Sequence, residues 1–198
     1  ANIEYEKYFV KNSERIDNDF VLYQYGQSLF KAGKSVEAIQ ELHLLLKMFP
    51  KSKYSDDARY LIGWIHFQKS DFDLAILNYR KLIKEYPKSS IIPISFYSIG
   101  DSYYNMGKYD SSIVYYLKII DDYPKTSFVY DAMNGIQYCY LALDRPEDAV
   151  SLINGYIVKY PHIENSDRIL MKKGEIYFSY GNFKKAISGY SELINFYP

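Results

Sequence analysis

KSKYSDDARYLIGWIHFQKSDFDLAILNYRKLIKEYP, residues 51–87, decides the fold, because the rest of the chain repeats it. The stretch closes on Tyr86-Pro87, and the same close recurs at Phe49-Pro50, Tyr123-Pro124, Tyr160-Pro161 and Tyr197-Pro198. The prolines stand at 50, 87, 124, 161 and 198, so the interval is 37 residues throughout. A fixed period of this size marks an array in which each unit buries its apolar face against its neighbours. In register the units are 14–50, 51–87, 88–124, 125–161 (atypical) and 162–198, read as one continuous array.

Four columns give the unit its internal structure. The first is Gly26, Gly63, Gly100, Gln137 and Gly174; the second, seven residues on, is Gly33, Ser70, Gly107, Asp144 and Gly181. Five further comes Ala38, Ala75, Ser112, Ala149 and Ala186, followed after four by Leu42, Tyr79, Tyr116, Ile153 and Tyr190. Small residues in the first and third columns let two helices approach closely, and the second is a turn where Gly accepts a left-handed cap at little cost. Apolar residues between these markers follow helical spacing, as in Leu74, Ile76, Tyr79, Leu82 and Ile83. Proline ends each second helix, having no amide to donate and disfavouring helix in the residue before it. Each unit is therefore a helical hairpin. First helices are predicted near 19–32, 55–69, 92–106, 129–143 and 166–180, and second helices near 35–48, 71–85, 108–122, 145–159 and 182–196. Ser55 and Ser166 read as N-caps, Asp56, Asp57 and Asp167 as first-turn acids, and Pro93 and Pro146 as first-turn prolines.

With these residues in place the chain resembles the tetratricopeptide repeat (TPR) family. Leu61, Ile62, Gly63, His66, Ala75, Tyr79 and Pro87 occupy the neighbourhood of that family's pattern, and Phe96, Ile99, Gly100, Tyr103, Tyr116 and Pro124 fit it better. The usual period is about 34, and the extra residues fall at the junctions 51–55 and 88–92. This Tyr-Pro-Lys-Ser style of junction is similar to the subgroup found in bacterial envelope proteins of the BamD and YbgF type. The resemblance implies an all-α, right-handed solenoid of TPR hairpins that works as a protein-interaction scaffold, at the periplasmic side or the outer membrane.

Composition excludes several classes. Lys plus Arg equals Asp plus Glu at 24 each, so no overall field favours nucleic acid or an anionic surface. No run of 18 apolar residues is present, so direct membrane insertion is not expected. The single Cys139 cannot form an intrachain disulfide and reads as a small apolar side chain. His43, His66 and His162 stand in different columns without metal-ligand spacing, and no phosphate loop or nucleophile elbow occurs. The reading is a non-enzyme with no cofactor and no metal. Unit 125–161 departs most: Gln137 replaces the contact Gly, Asp144 and Pro146 are expected to alter the turn, and Gly155 sits inside a helix. Either this is local repacking around Gly135 or a bend shaped for a partner. In residues 1–13, Tyr5, Lys7, Tyr8 and Phe9 fall in the columns of Tyr79, Lys81, Leu82 and Ile83, as the second helix of a preceding, truncated repeat would. A capping helix is the alternative.

In TPR proteins the first helices line the concave face, and the resemblance identifies the columns that point into it. They are Phe20, Asp57, Ile94, Asp131, Arg168; then Tyr23, Tyr60, Tyr97, Asn134, Met171; then Gln27, Trp64, Asp101, Tyr138, Glu175; then Phe30, Phe67, Tyr104, Leu141, Phe178. Since the Gly, Ala and Leu columns already supply a helix interface, this aromatic stripe is surplus, and surplus aromatics mark interaction surfaces. The candidate binding residues are Tyr23, Asp57, Tyr60, Trp64, Phe67, Tyr97, Asp101, Tyr104, Asp131 and Tyr138. The Lys and Asn carboxylate clamp of some TPR domains is absent, its positions being held by Tyr23, Tyr60, Tyr97, Gln27 and Trp64. Asp57, Asp101, Asp131 and Glu175 facing a single Arg168 favour a neutral to basic peptide or protein segment with apolar or aromatic side chains. The alternative is a structural or regulatory array, attached to a catalytic or sensory domain, with no groove of its own.

Overall fold

A computed structural model describes residues 18–162 and 164–198; the segment 1–13 lies outside them. The described residues form ten α-helices and no strand. First helices are α1 (Asp19–Lys31), α3 (Ser55–Gln68), α5 (Ile92–Asn105), α7 (Phe128–Ala142) and α9 (Ser166–Ser179). Second helices are α2 (Ser35–Met48), α4 (Phe72–Glu85), α6 (Tyr109–Asp122), α8 (Pro146–Lys159) and α10 (Phe183–Phe196). Every end agrees with the sequence expectation to within one residue. The chain divides into two compact units, 1–98 and 99–198, with the division inside α5.

The reasons for the helix ends are local and recur. Phe49, Tyr86, Tyr123, Tyr160 and Tyr197 each follow a second helix, and each amide still bonds the carbonyl four residues back. The proline that follows has no amide, so the ladder stops there. First helices end on Gly33, Ser70, Gly107, Asp144 and Gly181, all at positive φ between 56° and 79°. The next amide then reaches back over the turn, as Lys34 N–H does to Leu29 O and Arg145 N–H to Tyr140 O, at 2.9 and 2.8 Å. This is the left-handed cap that glycine makes cheaply. Asp144 and Pro146 therefore do not alter the turn, contrary to expectation: Asp144 adopts the same left-handed conformation at φ 56°, and Pro146 opens α8 at a position that needs no amide.

Within the first unit, α1 pairs with α2 and α3 with α4. A Cβ on Gly26 would stand 2.8 Å from Leu42, and one on Gly63 would stand 2.6 Å from the Tyr79 ring. These are separations that real Cβ atoms do not show, so glycine sets the spacing of each hairpin. Leu22, Leu29, Leu42, Leu45, Ile62, Ile65, Tyr79 and Leu82 are sealed from solvent around it. Leu74, placed in the apolar stripe on spacing, is instead exposed, because its position turns away from the seam that Ile76 and Tyr79 occupy.

The second unit repeats this build with one addition. Gly100 would bring a Cβ to 2.6 Å from the Tyr116 ring, and Gly135, from the following first helix, would bring one to 2.5 Å from its other edge. Tyr116 thus lies between two glycine backbones, 1% exposed. Ser112, in the alanine column, is buried and donates to Gly100 O at 2.8 Å. Gly174 faces Tyr190 in the same way, but Tyr190 is half-buried.

The junctions work differently from the sequence reading. Ser55 and Ser166 are not N-caps; each is buried inside the first turn and donates across to the carbonyl of the preceding cap residue, Phe49 at 2.7 Å and Tyr160 at 2.8 Å. Asp56 is not only a first-turn acid, since it accepts from Ser89 Oγ at 2.6 Å, as Asp19 accepts from Ser52 Oγ at 2.5 Å. Ser52 and Ser89 also receive the amides of Tyr54 and Ile91. The residues added to the usual TPR period thus tie the start of a repeat back to the first helix of the repeat before it.

Candidate protein-interaction surface

The first-helix columns of the first unit carry Tyr23, Asp57, Tyr60, Trp64, Phe67 and Tyr97, all half-buried. Tyr23 stacks on Tyr54 with centroids 5.4 Å apart, Phe20 leans on Tyr54 from the other side, and Gln27 Nε2 donates to the Tyr23 hydroxyl at 2.9 Å. Burial, then the neighbouring Asp57 and Asp56, push the Tyr23 phenol up to about 12. Burial and Asp56 also raise the Asp57 carboxyl above the usual carboxylate range. A cation arriving there would relieve both groups. Trp64 stacks on Phe67 at 5.4 Å. Tyr60 is more committed: its ring lies against Tyr79 and its hydroxyl is 3.0 Å from Ser98 Oγ.

Phe67 spends its edge on Phe72, the first residue of the next helix. In the second unit Tyr104 meets Tyr109 and Phe178 meets Phe183 in the same columns. These pairs clasp the two helices of a hairpin across their left-handed turn, so Phe67 and Tyr104 are partly core, as an aromatic stripe in this last column is expected to be. Asp101 likewise is not a free acid, because it accepts from the Tyr116 hydroxyl at 2.5 Å. Asp131 and Tyr138 are exposed.

The expected acidic character does not extend evenly through the second unit. Arg168 stacks over the Tyr130 ring at 4.0 Å and donates to Asn165 rather than facing Asp131. Glu175 lies 3.8 Å from Lys172, whose ammonium also sits over Tyr130 at 4.8 Å. Lys172 is 3% exposed and was missed. Its column, with Gln24, Leu61, Ser98 and Gly135, holds no other charged residue. Tyr54 was missed as well, and its column, with Ile91 and Phe128, holds no constant residue type to announce it.

Reactive groups are quiet. Cys139 is buried and burial pushes its thiol up; burial pushes the His43 imidazole down. His66 is half-buried, with Nδ1 3.5 Å from Asp71. Among the described residues no cluster of three His, Cys, Asp or Glu side chains could hold a metal, and no helix is long and apolar enough to cross a membrane.

Solved structures share this build. The C-terminal part of a TPR repeat-containing protein of Cytophaga hutchinsonii is similar at TM-score 0.68 and 21% identity, covering 100% of this chain and 76% of that one. MamA is similar at TM-score 0.60 and 20% identity, covering 96% and 87%. YrrB, described as a TPR protein with an unusual peptide-binding site, is similar at TM-score 0.59 and 14% identity, covering 98% and 92%. At these identities the likeness shows the fold, an all-α solenoid of TPR hairpins. No curated protein is similar enough to match. A family model described as outer membrane lipoprotein, YfiO, matches residues 16–138, well over half of the chain. Its span takes in the first three hairpins, with the Gly26, Gly63 and Gly100 contacts and the left-handed turns at Gly33, Ser70 and Gly107, and the chain belongs to the YfiO family of outer membrane lipoproteins.

Proposed function

We propose that the chain is a non-enzymatic scaffold whose first-helix columns bind a protein segment, neutral to basic, that carries aromatic or aliphatic side chains. One observation carries this reading. First helices α1, α3, α5 and α9 spend their glycine on their hairpin partners, Gly63 on Tyr79 for example, while Trp64 and Tyr97 keep part of their rings accessible. Aromatic rings in that position are the usual anchors of interfaces. Asp57, with its raised carboxyl, supports a cationic neighbour on the bound segment. The family supports a place at the outer membrane or its periplasmic side, within an envelope complex. The remaining candidates, Tyr23, Tyr60, Phe67, Asp101, Tyr104, Asp131 and Tyr138, belong to the same proposal.

The competing reading, an array that serves an attached domain and has no groove, draws on Tyr60, whose ring and hydroxyl both contact neighbours in its own unit. Selection from a random-peptide display library separates the two. The native chain should enrich basic peptides with aromatic or branched residues, and Trp64→Ala or Tyr97→Ala should lose that enrichment with an unchanged melting midpoint. A lowered midpoint with undiminished enrichment would defeat the proposal.

A further inference from the structure

Residues 155 and 156 break the pattern of their columns. At the position of Gly155 the other repeats carry Leu44, Lys81, Lys118 and Glu192, and at that of Tyr156 they carry Leu45, Leu82, Ile119 and Leu193. Neither choice helps the fold. A glycine inside a helix weakens it, and a phenol in an aliphatic column brings a hydroxyl that must find a partner or sit bare. Both consequences are present. A Cβ at Gly155 would meet nothing within 4 Å. Tyr156 is 4% exposed, and its buried hydroxyl has no hydrogen-bond partner.

The two residues line one hollow, about 270 Å³, between α6 and α8 in the second unit. Ile120, Leu152 and Tyr160 supply its apolar lining, and the Tyr156 and Tyr160 rings stand 5.2 Å apart at 50°. Its volume falls below the roughly 300–1,000 Å³ of small-molecule sites and suits one large side chain. The rim is electrically lopsided. The last turn of α6 carries Asp121 and Asp122 with no basic residue, at the helix end whose carbonyls already add negative charge. Lys159, on the opposite wall, sits over the Tyr160 ring at 5.1 Å.

We propose that this hollow is a second docking site, on the second-helix side of the chain, for a protein segment that inserts one aromatic side chain next to an Arg or Lys. The ring rests among Tyr156, Tyr160 and Leu152, the Tyr156 phenol tips toward the hollow as the segment enters so that its hydroxyl donates to a backbone carbonyl of the segment, and the cation faces Asp121 and Asp122. Gly155 is the clearance that admits the segment's backbone. The site shares no residue with the first-helix surface, so either can fail alone.

The test titrates the isotope-labelled chain by amide NMR with three capped dipeptides, acetyl-Phe-Arg-amide, acetyl-Phe-Glu-amide and acetyl-Ala-Arg-amide. Acetyl-Phe-Arg-amide should move the amides of Ile120, Leu152 and Gly155, and should bind up to about fivefold more tightly than the Phe-Glu peptide, the ratio an exposed charge pair supports. Tyr156→Phe should weaken it by roughly three- to tenfold, the worth of one hydrogen bond, while raising the melting midpoint of the free chain. Gly155→Ala should also raise the midpoint, by about 2–4 °C, and weaken binding. Trp64→Ala should change neither readout. Equal affinity for all three peptides, an affinity unmoved by Tyr156→Phe, or a midpoint lowered by that substitution would each overturn the proposal. The last would mean that the hydroxyl is already satisfied without a partner.

Discussion

Three glycine-to-alanine substitutions should change stability in three different ways, although all lie in helices. Alanine is better than glycine in a helix interior by about 1 kcal/mol, so each substitution starts with that gain. At Gly155 nothing opposes it, because a Cβ there meets no atom within 4 Å. The midpoint should rise by about 2–4 °C for a chain of this size. At Gly100 the new methyl would stand 2.6 Å from Cε1 of Tyr116. The ring cannot withdraw, since Gly135 holds its other edge at 2.5 Å. Overpacking a sealed core costs about 1–3 kcal/mol, which offsets the helix gain and leaves a net loss of up to about 2 kcal/mol, a fall of up to roughly 8 °C. At Gly174 the methyl would press on Tyr190 at 2.4 Å, but that ring is half-buried with no second glycine against it. It can swing aside, and the net change should be near zero. Thermal melts of the chain followed by circular dichroism read all three. A Gly100→Ala midpoint at or above that of the native chain, or a Gly155→Ala loss matching that of Gly100→Ala, would refute the reasoning.

Hydrogen exchange should show faster opening across α8 than across α4 or α6, because α8 alone among them carries an interior glycine; equal protection in the three helices would count against it. Ser70→Gly should raise the melting midpoint, since a non-glycine residue held at φ 61° costs about 1 kcal/mol, and a lowered midpoint would show that the serine side chain has an overriding role. Tyr23 has its phenol raised to about 12, so the folded state holds that proton more tightly than the unfolded state does. That contribution is fully present below the unfolded value of about 10 and is lost as pH rises through 12. Tyr23→Phe should therefore flatten the fall of the melting midpoint between those values and remove the last step of tyrosinate absorbance; an unchanged titration would dismiss the assignment.

The hairpins were legible because their punctuation is chemical and local. A Tyr-Pro step forbids further helix whatever surrounds it, and a left-handed turn can be read wherever Gly recurs, so Ser70 and Asp144 could be placed by column even without being glycine. The junctions were misread because Ser52–Asp19 and Ser89–Asp56 are contacts over 33 residues, which neighbouring residues do not announce. Their recurrence one period apart was the available signal. On the candidate surface, helical spacing put Phe67 and Tyr104 on an outward stripe, but spacing along one helix does not register an aromatic five residues away on the next. Phe72 and Tyr109 claim those rings. Lys172 was hidden for the opposite reason: it is charged, and charge was read as exposure, although Tyr130 and Glu175 let it stay buried.

The ring held between Gly100 and Gly135 bears on how the array diverges. Tyr116 places a demand on two other positions, one in its own repeat and one in the next, and neither can gain a side chain while the ring keeps its place; beside Tyr79 only the first demand holds, since the second position is Ser98. Where the column carries Ile153 instead, the two facing positions are Gln137 and Lys172, both with long side chains. Gln137 in the fourth repeat and Lys172 in the fifth then go with one change, the absence of a ring at position 153. Comparison of the repeats column by column would score that as decay. Scored as linked triplets, the same residues record descent from the common unit.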